Sequence, residues 1–127
     1  MGNQLRRVIT IQVAGAAGTD DTAKFVYRGV NKAHVKNVDF IPSRSSTANA
    51  SNNTTITCLN TTTSTTWITR ATSSTGLTSG TTVPATLTEG TGLILSPGDV
   101  LTCAKTDSGT GVAASGTMCV EVAEIQS

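Results

Sequence analysis

A hydrolytic triad needs a nucleophile, an imidazole and an orienting carboxylate. This chain has one imidazole, His34. It lies between Ala33 and Val35 in a strand-like run, and no G-x-S-x-G elbow exposes a serine. The expected role of His34 is an ordinary surface or half-buried strand residue. Three cysteines, Cys58, Cys103 and Cys119, are far apart and form no C-x-x-C pair. Their odd number argues against a secreted disulfide framework. They read as small buried hydrophobes, with a Cys103–Cys119 bridge between neighbouring strands as the lesser alternative. One histidine leaves little with which to hold zinc, and no metal site is expected.

The carboxylates point the same way. Asp20 and Asp21 precede Thr22-Ala23-Lys24, which lacks the alternating oxygen ligands of a calcium loop. They read as loop or capping residues, and Asp99 and Asp107 as turn residues that bond nearby backbone. Spacing alone leaves paired carboxylates for glycoside hydrolysis open, but aromatic residues for sugar stacking make up only 3% of the chain. Gly109-Thr110-Gly111 is followed by no G-K-[ST] and no helical pattern, so it is no phosphate loop. The N-x-[ST] triplets beginning at Asn49, Asn53 and Asn60 are what an Asn/Thr-rich composition yields by chance. The threonines of Thr54 to Thr66 are too irregularly spaced for an ice-binding face and read as solvent-facing strand residues. No enzyme activity and no cofactor is expected.

The elements that carry these residues are strands. Val8 to Val13 alternates Ile9, Ile11 and Val13 on one face with Val8, Thr10 and Gln12 on the other. Ala23 to Val30 sets Phe25 and Tyr27 on one face and bends at Gly29. In Ala33 to Ile41 the apolar parity switches between Val35 and Val38, which predicts a β-bulge near Lys36-Asn37. Pro42 ends that strand. Thr54 to Asn60 puts Ile56 and Cys58 opposite Thr55, Thr57 and Leu59, and Thr65 to Ala71 carries the single tryptophan. Pro84 confines Thr81 to Glu89 to a sheet edge. Thr117 to Ile125 alternates Met118, Val120 and Val122 with Cys119, Glu121 and Ala123. In Gly92 to Lys105, Ser96-Pro97-Gly98-Asp99 separates two apolar runs. Pro-Gly favours a type II turn, which suits a corner better than a tight hairpin. Leu93, Leu95 and Leu101 then point inward.

The expected fold is all-β: a single-domain, jelly-roll-like antiparallel β-sandwich of seven or eight short strands. It comprises residues 8–127 after a polar N-terminal arm, residues 1–7. At 127 residues the chain suffices for one core. Charged residues are 13%, about half the globular norm of ~25%, and threonine is roughly a fifth of the chain. Such small-residue surfaces suit close contact with a large partner. A net charge of +1 gives no footprint for nucleic acid or an anionic membrane, and no apolar run approaches the ~18 residues of a membrane span. Met1 to Arg7 lacks the apolar region of a signal peptide. If this is the native start, the protein is made in a cytoplasm and stays there or leaves inside a particle.

The succession Leu95-Ser96-Pro97-Gly98-Asp99-Val100-Leu101-Thr102, a Gly/Ala-rich loop and a closing strand resembles small β-sandwich virion proteins of tailed bacteriophages. Among these are the decoration (cement) proteins that stud the outside of phage heads. The Thr-rich composition and the strand following a short polar arm are also similar. The motif L-x-P-G-D-x-L occurs too in trimeric receptor-binding heads and cupin-like enzymes, although a cupin metal site suits a chain with one histidine poorly. The resemblance implies a non-enzymatic structural protein on the outer head surface, made in the host cytoplasm. Its partners would be the major capsid protein and copies of itself, as a dimer or trimer, with no nucleic acid and no membrane. A receptor- or glycan-binding fibre or adhesin module is the alternative. The expected capsid contact is the arm, Asn3, Gln4, Leu5, Arg6 and Arg7, because two arginines precede a strand with no covering sequence. The Ser43–Asn53 and Thr61–Thr66 loops would face outward.

Overall fold

The computed structural model describes residues 6–87 and 93–125. Nine strands are present among them: β1 (Arg6–Gly15), β2 (Asp21–Val26), β3 (Ala33–Pro42), β4 (Asn53–Asn60), β5 (Thr65–Ala71), β6 (Val83–Pro84), β7 (Ile94–Leu95), β8 (Val100–Ser108) and β9 (Ala114–Glu124). β6 and β7 have two residues each, which takes the count past the seven or eight expected. One sheet runs β1-β9-β3-β6 with β7 also on β3, and the other runs β2-β8-β4-β5. Every pairing is antiparallel. The pairs β1·β9, β2·β8, β3·β7 and β4·β5 are nested, as if one long hairpin closing at Thr61–Ser64 had been rolled up.

Alternation places the core. Ile9, Ile11 and Val13 of β1, Val38 and Phe40 of β3, and Met118, Val120 and Val122 of β9 form one inner face. Ile56 and Cys58 of β4, Trp67 and Ile68 of β5, and Leu101 and Cys103 of β8 supply the other. Full burial of a side chain of this size contributes about 1.5–3 kcal/mol. Pairing on both sides of β4 and β9 explains why neither strand has an exposed residue.

The bulge falls where parity requires it. Val35 pairs with Val122 and Asn37 with Glu121, so Lys36 is the extra residue. It lets Ala33, Val35, Val38 and Phe40 all face inward. The Pro-Gly element is indeed a corner: β7 lies in one sheet and β8 in the other. Asp99 N–H donates to Ser96 O at 3.0 Å, and Gly98 has φ +95°, open to glycine at no steric cost. Leu95 and Leu101 are fully buried and Leu93 packs against the core. Gly92 lies outside the described residues.

Two readings need correction. Phe25 does not share Tyr27's burial: it is 39% exposed and Tyr27 1%. β2 is an edge strand, so its inner face meets the open rim of the sandwich, whereas Tyr27 lies just past it and bonds to the corner. Tyr27 N–H donates to Asp99 O, Gly98 N–H to Tyr27 O, and Tyr27 OH to Asn31 O. Gly29 does more than bend: a Cβ there would meet the Tyr27 hydroxyl oxygen. β1 begins two residues before the expected Val8, so Arg6 and Arg7 are strand residues.

Deleting Lys36 removes the bulge but keeps every inward residue inward, whereas deleting Asp39 throws one half of β3 onto the wrong face. The Lys36 deletion should therefore unfold cooperatively with a loss within ~2 kcal/mol, and the Asp39 deletion should give no folded protein. Thermal denaturation followed by circular dichroism distinguishes the two.

Candidate functional site

The densest polar constellation is buried and centres on Lys105, a residue to which the sequence pattern assigns no role. On β8 the inward stripe Leu101, Cys103 continues to Lys105 and Asp107. Lys105 is 0% exposed. Its Nζ lies 2.7 Å from both Asp107 carboxylate oxygens, 2.8 Å from Thr19 O and 3.1 Å from Ala16 O. Gly15 leaves room for its stem, since a Cβ there would stand 3.0 Å from Lys105 Cδ. Asp107 is thus no simple turn residue. It also accepts from the Thr54 hydroxyl at 2.6 Å, and its N–H donates to Asp20 Oδ1 at 2.8 Å. Burial alone pushes the Asp107 carboxyl up, but hydrogen bonds from Lys105 and Thr54 outweigh it and hold it below the ordinary carboxylate range. With its ammonium protons directed at acceptors, Lys105 is a tie between the β1–β2 turn and β8 rather than a nucleophile or base.

The other polar candidates serve the fold as well. Asp99 accepts from Ser96 N–H and from the Asn60 side chain, both at 3.0 Å. Asp21 accepts from Ala14 N–H at 2.9 Å. His34 is half-buried in β3, opposite Ala123 and Ile94. The threonines are not merely solvent-facing: Thr54 is fully buried, Thr61 and Thr102 bond through their hydroxyls, and Thr62 Oγ1 accepts from Val100 N–H. No Cys103–Cys119 bridge forms: Cys103 faces the core from β8, whereas Cys119 alternates with the inward Met118 and Val120 and so lies on the outer face of β9; the cross-strand neighbour of Cys103 is Cys58. Among the described residues no group of three or more His, Cys, Asp or Glu could hold a metal. A shallow depression of about 540 Å³ is lined by small residues of β1 and β9 with Arg44 as its one ionisable group. No helix long and apolar enough to cross a membrane is present among the described residues.

What is left open is an edge. Among the described residues β1 pairs with β9 on one side only, and it runs ten residues without proline or bulge. Ala14 N–H points away from β9, to Asp21. Backbone groups alternate along a strand, so those of Val8, Thr10 and Gln12 also face the free side. Val8 is 63% exposed. Natural edges are usually blunted by proline, bulges or short length. β6, with two residues and Pro84, follows that rule, and β1 does not. The two arginines stand at its start: Arg6 pairs with Glu121 at 3.6 Å and Arg7 with Glu124 at 3.3 Å, both arginines remaining about half exposed. Of the expected contact residues the structure places Arg6 and Arg7 together on this edge strand, and Asn3, Gln4 and Leu5 lie outside the described residues.

Removing one member of a buried ion pair leaves an uncompensated charge, typically ~3–5 kcal/mol. Asp107→Ala should lose that much in urea denaturation at neutral pH, and Lys105→Met/Asp107→Ala should lose less than Asp107→Ala alone. Because the folded-state pKa of Asp107 lies below its unfolded value, its contribution is complete above about pH 4. Stability should fall as pH drops through the folded-state pKa, and Asp107→Asn should flatten that acid limb.

Comparison with family models, with curated proteins and with solved structures finds no match to this chain.

Proposed function

We propose that this chain is a non-enzymatic structural protein of a virion, binding the outer surface of a tailed-phage head and stabilising the shell. The observation that carries this reading is the long unblunted edge of β1, headed by Arg6 and Arg7. An extended segment of the major capsid protein can add to such an edge, gaining main-chain hydrogen bonds at Val8, Thr10 and Gln12. The arm, Asn3 to Arg7, continues the contact. Many copies held by modest interfaces gain through avidity, and placement at a symmetry axis of the shell leads to a cyclic homo-oligomer. The nested strand order supports a jelly-roll reading of the sandwich, in keeping with the resemblance in the Leu95–Thr102 stretch. The polar groups described above are engaged in holding the fold, which favours a binding role over a catalytic one.

Two variants test the surface. Thr10→Pro removes an N–H on the free side and leaves the β9 ladder intact. It should keep the fold yet weaken sedimentation with expanded heads by about tenfold, the worth of one or two hydrogen bonds. Deleting Met1 to Gln4 with Arg6→Gln and Arg7→Gln should weaken it further. Head binding unchanged in both variants would refute the assigned surface.

A further inference from the structure

Cys58 and Cys103 face each other across β4 and β8, and both side chains are completely buried in the inner face. Their sulfurs are 3.8 Å apart and both thiols are free. The register has a chemical consequence. Thr61 N–H donates to Val100 O, which makes Thr61 and Val100 a hydrogen-bonded pair. Bonded and non-bonded pairs alternate along an antiparallel ladder. Three steps on, Cys58 and Cys103 are therefore a non-hydrogen-bonded pair, with Cα atoms about 4.5 Å apart. That separation lies within the range a disulfide spans, and rotation about χ1 closes the remaining gap between the sulfurs. Cys119 cannot compete: it sits half-buried on the other sheet, opposite Thr10 and Asp39.

We propose that Cys58 and Cys103 form a latent cystine site, reduced in a thiol-buffered compartment and closed by exchange with a low-molecular-weight disulfide. One thiolate attacks the external disulfide, giving a mixed disulfide and one external thiolate. The second cysteine thiolate then attacks the protein sulfur of the mixed disulfide and expels the other external thiolate. The two cysteines lose two electrons and two protons, and the external disulfide is reduced to two thiols. The Cys58 thiol is pushed up by its hydrogen bond with Cys103 and by burial, so thiolate is scarce in the closed fold and exchange waits on local opening. The link would tie the two strands whose register sets the centre of the second sheet. It would also enclose β5, β6, β7 and the corner in one covalent loop. This site stands independently of the proposed function.

The test uses the full chain carrying Cys119→Ser, folded, with oxidised glutathione at mildly alkaline pH, with and without sub-denaturing urea. The expected product has lost two hydrogens, carries no lasting glutathione, and yields a peptide linking Cys58 to Cys103. It should form faster in the urea, and raise Tm by roughly 5 °C or more. Adding Cys58→Ser should abolish the crosslink. Two alkylatable thiols remaining after prolonged incubation in urea, two stable glutathione adducts, or a crosslink that lowers Tm would overturn the proposal.

Discussion

A buried ammonium must be fully compensated, and that requirement at Lys105 constrains much of the molecule. The inward stripe of β8, Leu101 and Cys103, ends at Lys105 in charge rather than hydrocarbon. Lys105 draws in the carboxylate of Asp107 together with Ala16 O and Thr19 O, and Asp107 draws in Thr54 and the carboxylate of Asp20. The β1–β2 turn, the start of β4 and the end of β8 are held at one point by these bonds. An equivalent polar tie at the opposite end of β8, Asp99 with Asn60 and Ser96, secures the corner between the sheets. Neutral packing fills the middle, and each end is closed by a carboxylate with its donors met.

These ties also explain what could be read in the residues beforehand. Alternation in Val8–Val13 and from Thr117 to Val122, the parity switch at Lys36 and the Pro-Gly corner were all legible, because a residue pattern of period two reports directly on which face is buried; past Val122 it breaks, with Ala123 and Glu124 both buried. Lys105 was legible in principle, since it continues the parity of Leu101 and Cys103. Its charge argued for solvent, and the Asp107 carboxylate together with the carbonyls of Ala16 and Thr19, 89 and 86 residues earlier in the chain, reverses that preference. Phe25 failed for the complementary reason: parity gives the face, but only the sheet order shows that β2 lies at a rim. The facing of Cys58 and Cys103 depends on register between strands far apart in sequence, which no local pattern carries. The free edge of β1 was foreshadowed by Arg6 and Arg7, although as an arm rather than as strand.

The same economy bears on function. Asp99, Asp107, Lys105, Thr54, Thr61 and Thr62 are engaged with backbone and with neighbouring side chains, and these bonds hold the fold. Among the described residues one side of the β1 main chain is unpaired, next to two half-exposed arginines. The proposed shell binding calls for a rigid body and an adherent strip; the polar ties at both ends of β8 bear on the first and the edge of β1 on the second.

The central claim is attachment to a phage head, and imaging purified heads by electron cryomicroscopy with and without this protein tests it most directly. The account predicts protrusions at symmetry axes on the outer head surface that vanish when the protein is omitted and return when it is added back. Heads of identical appearance in both preparations, with the protein remaining in the unsedimented fraction, would contradict it.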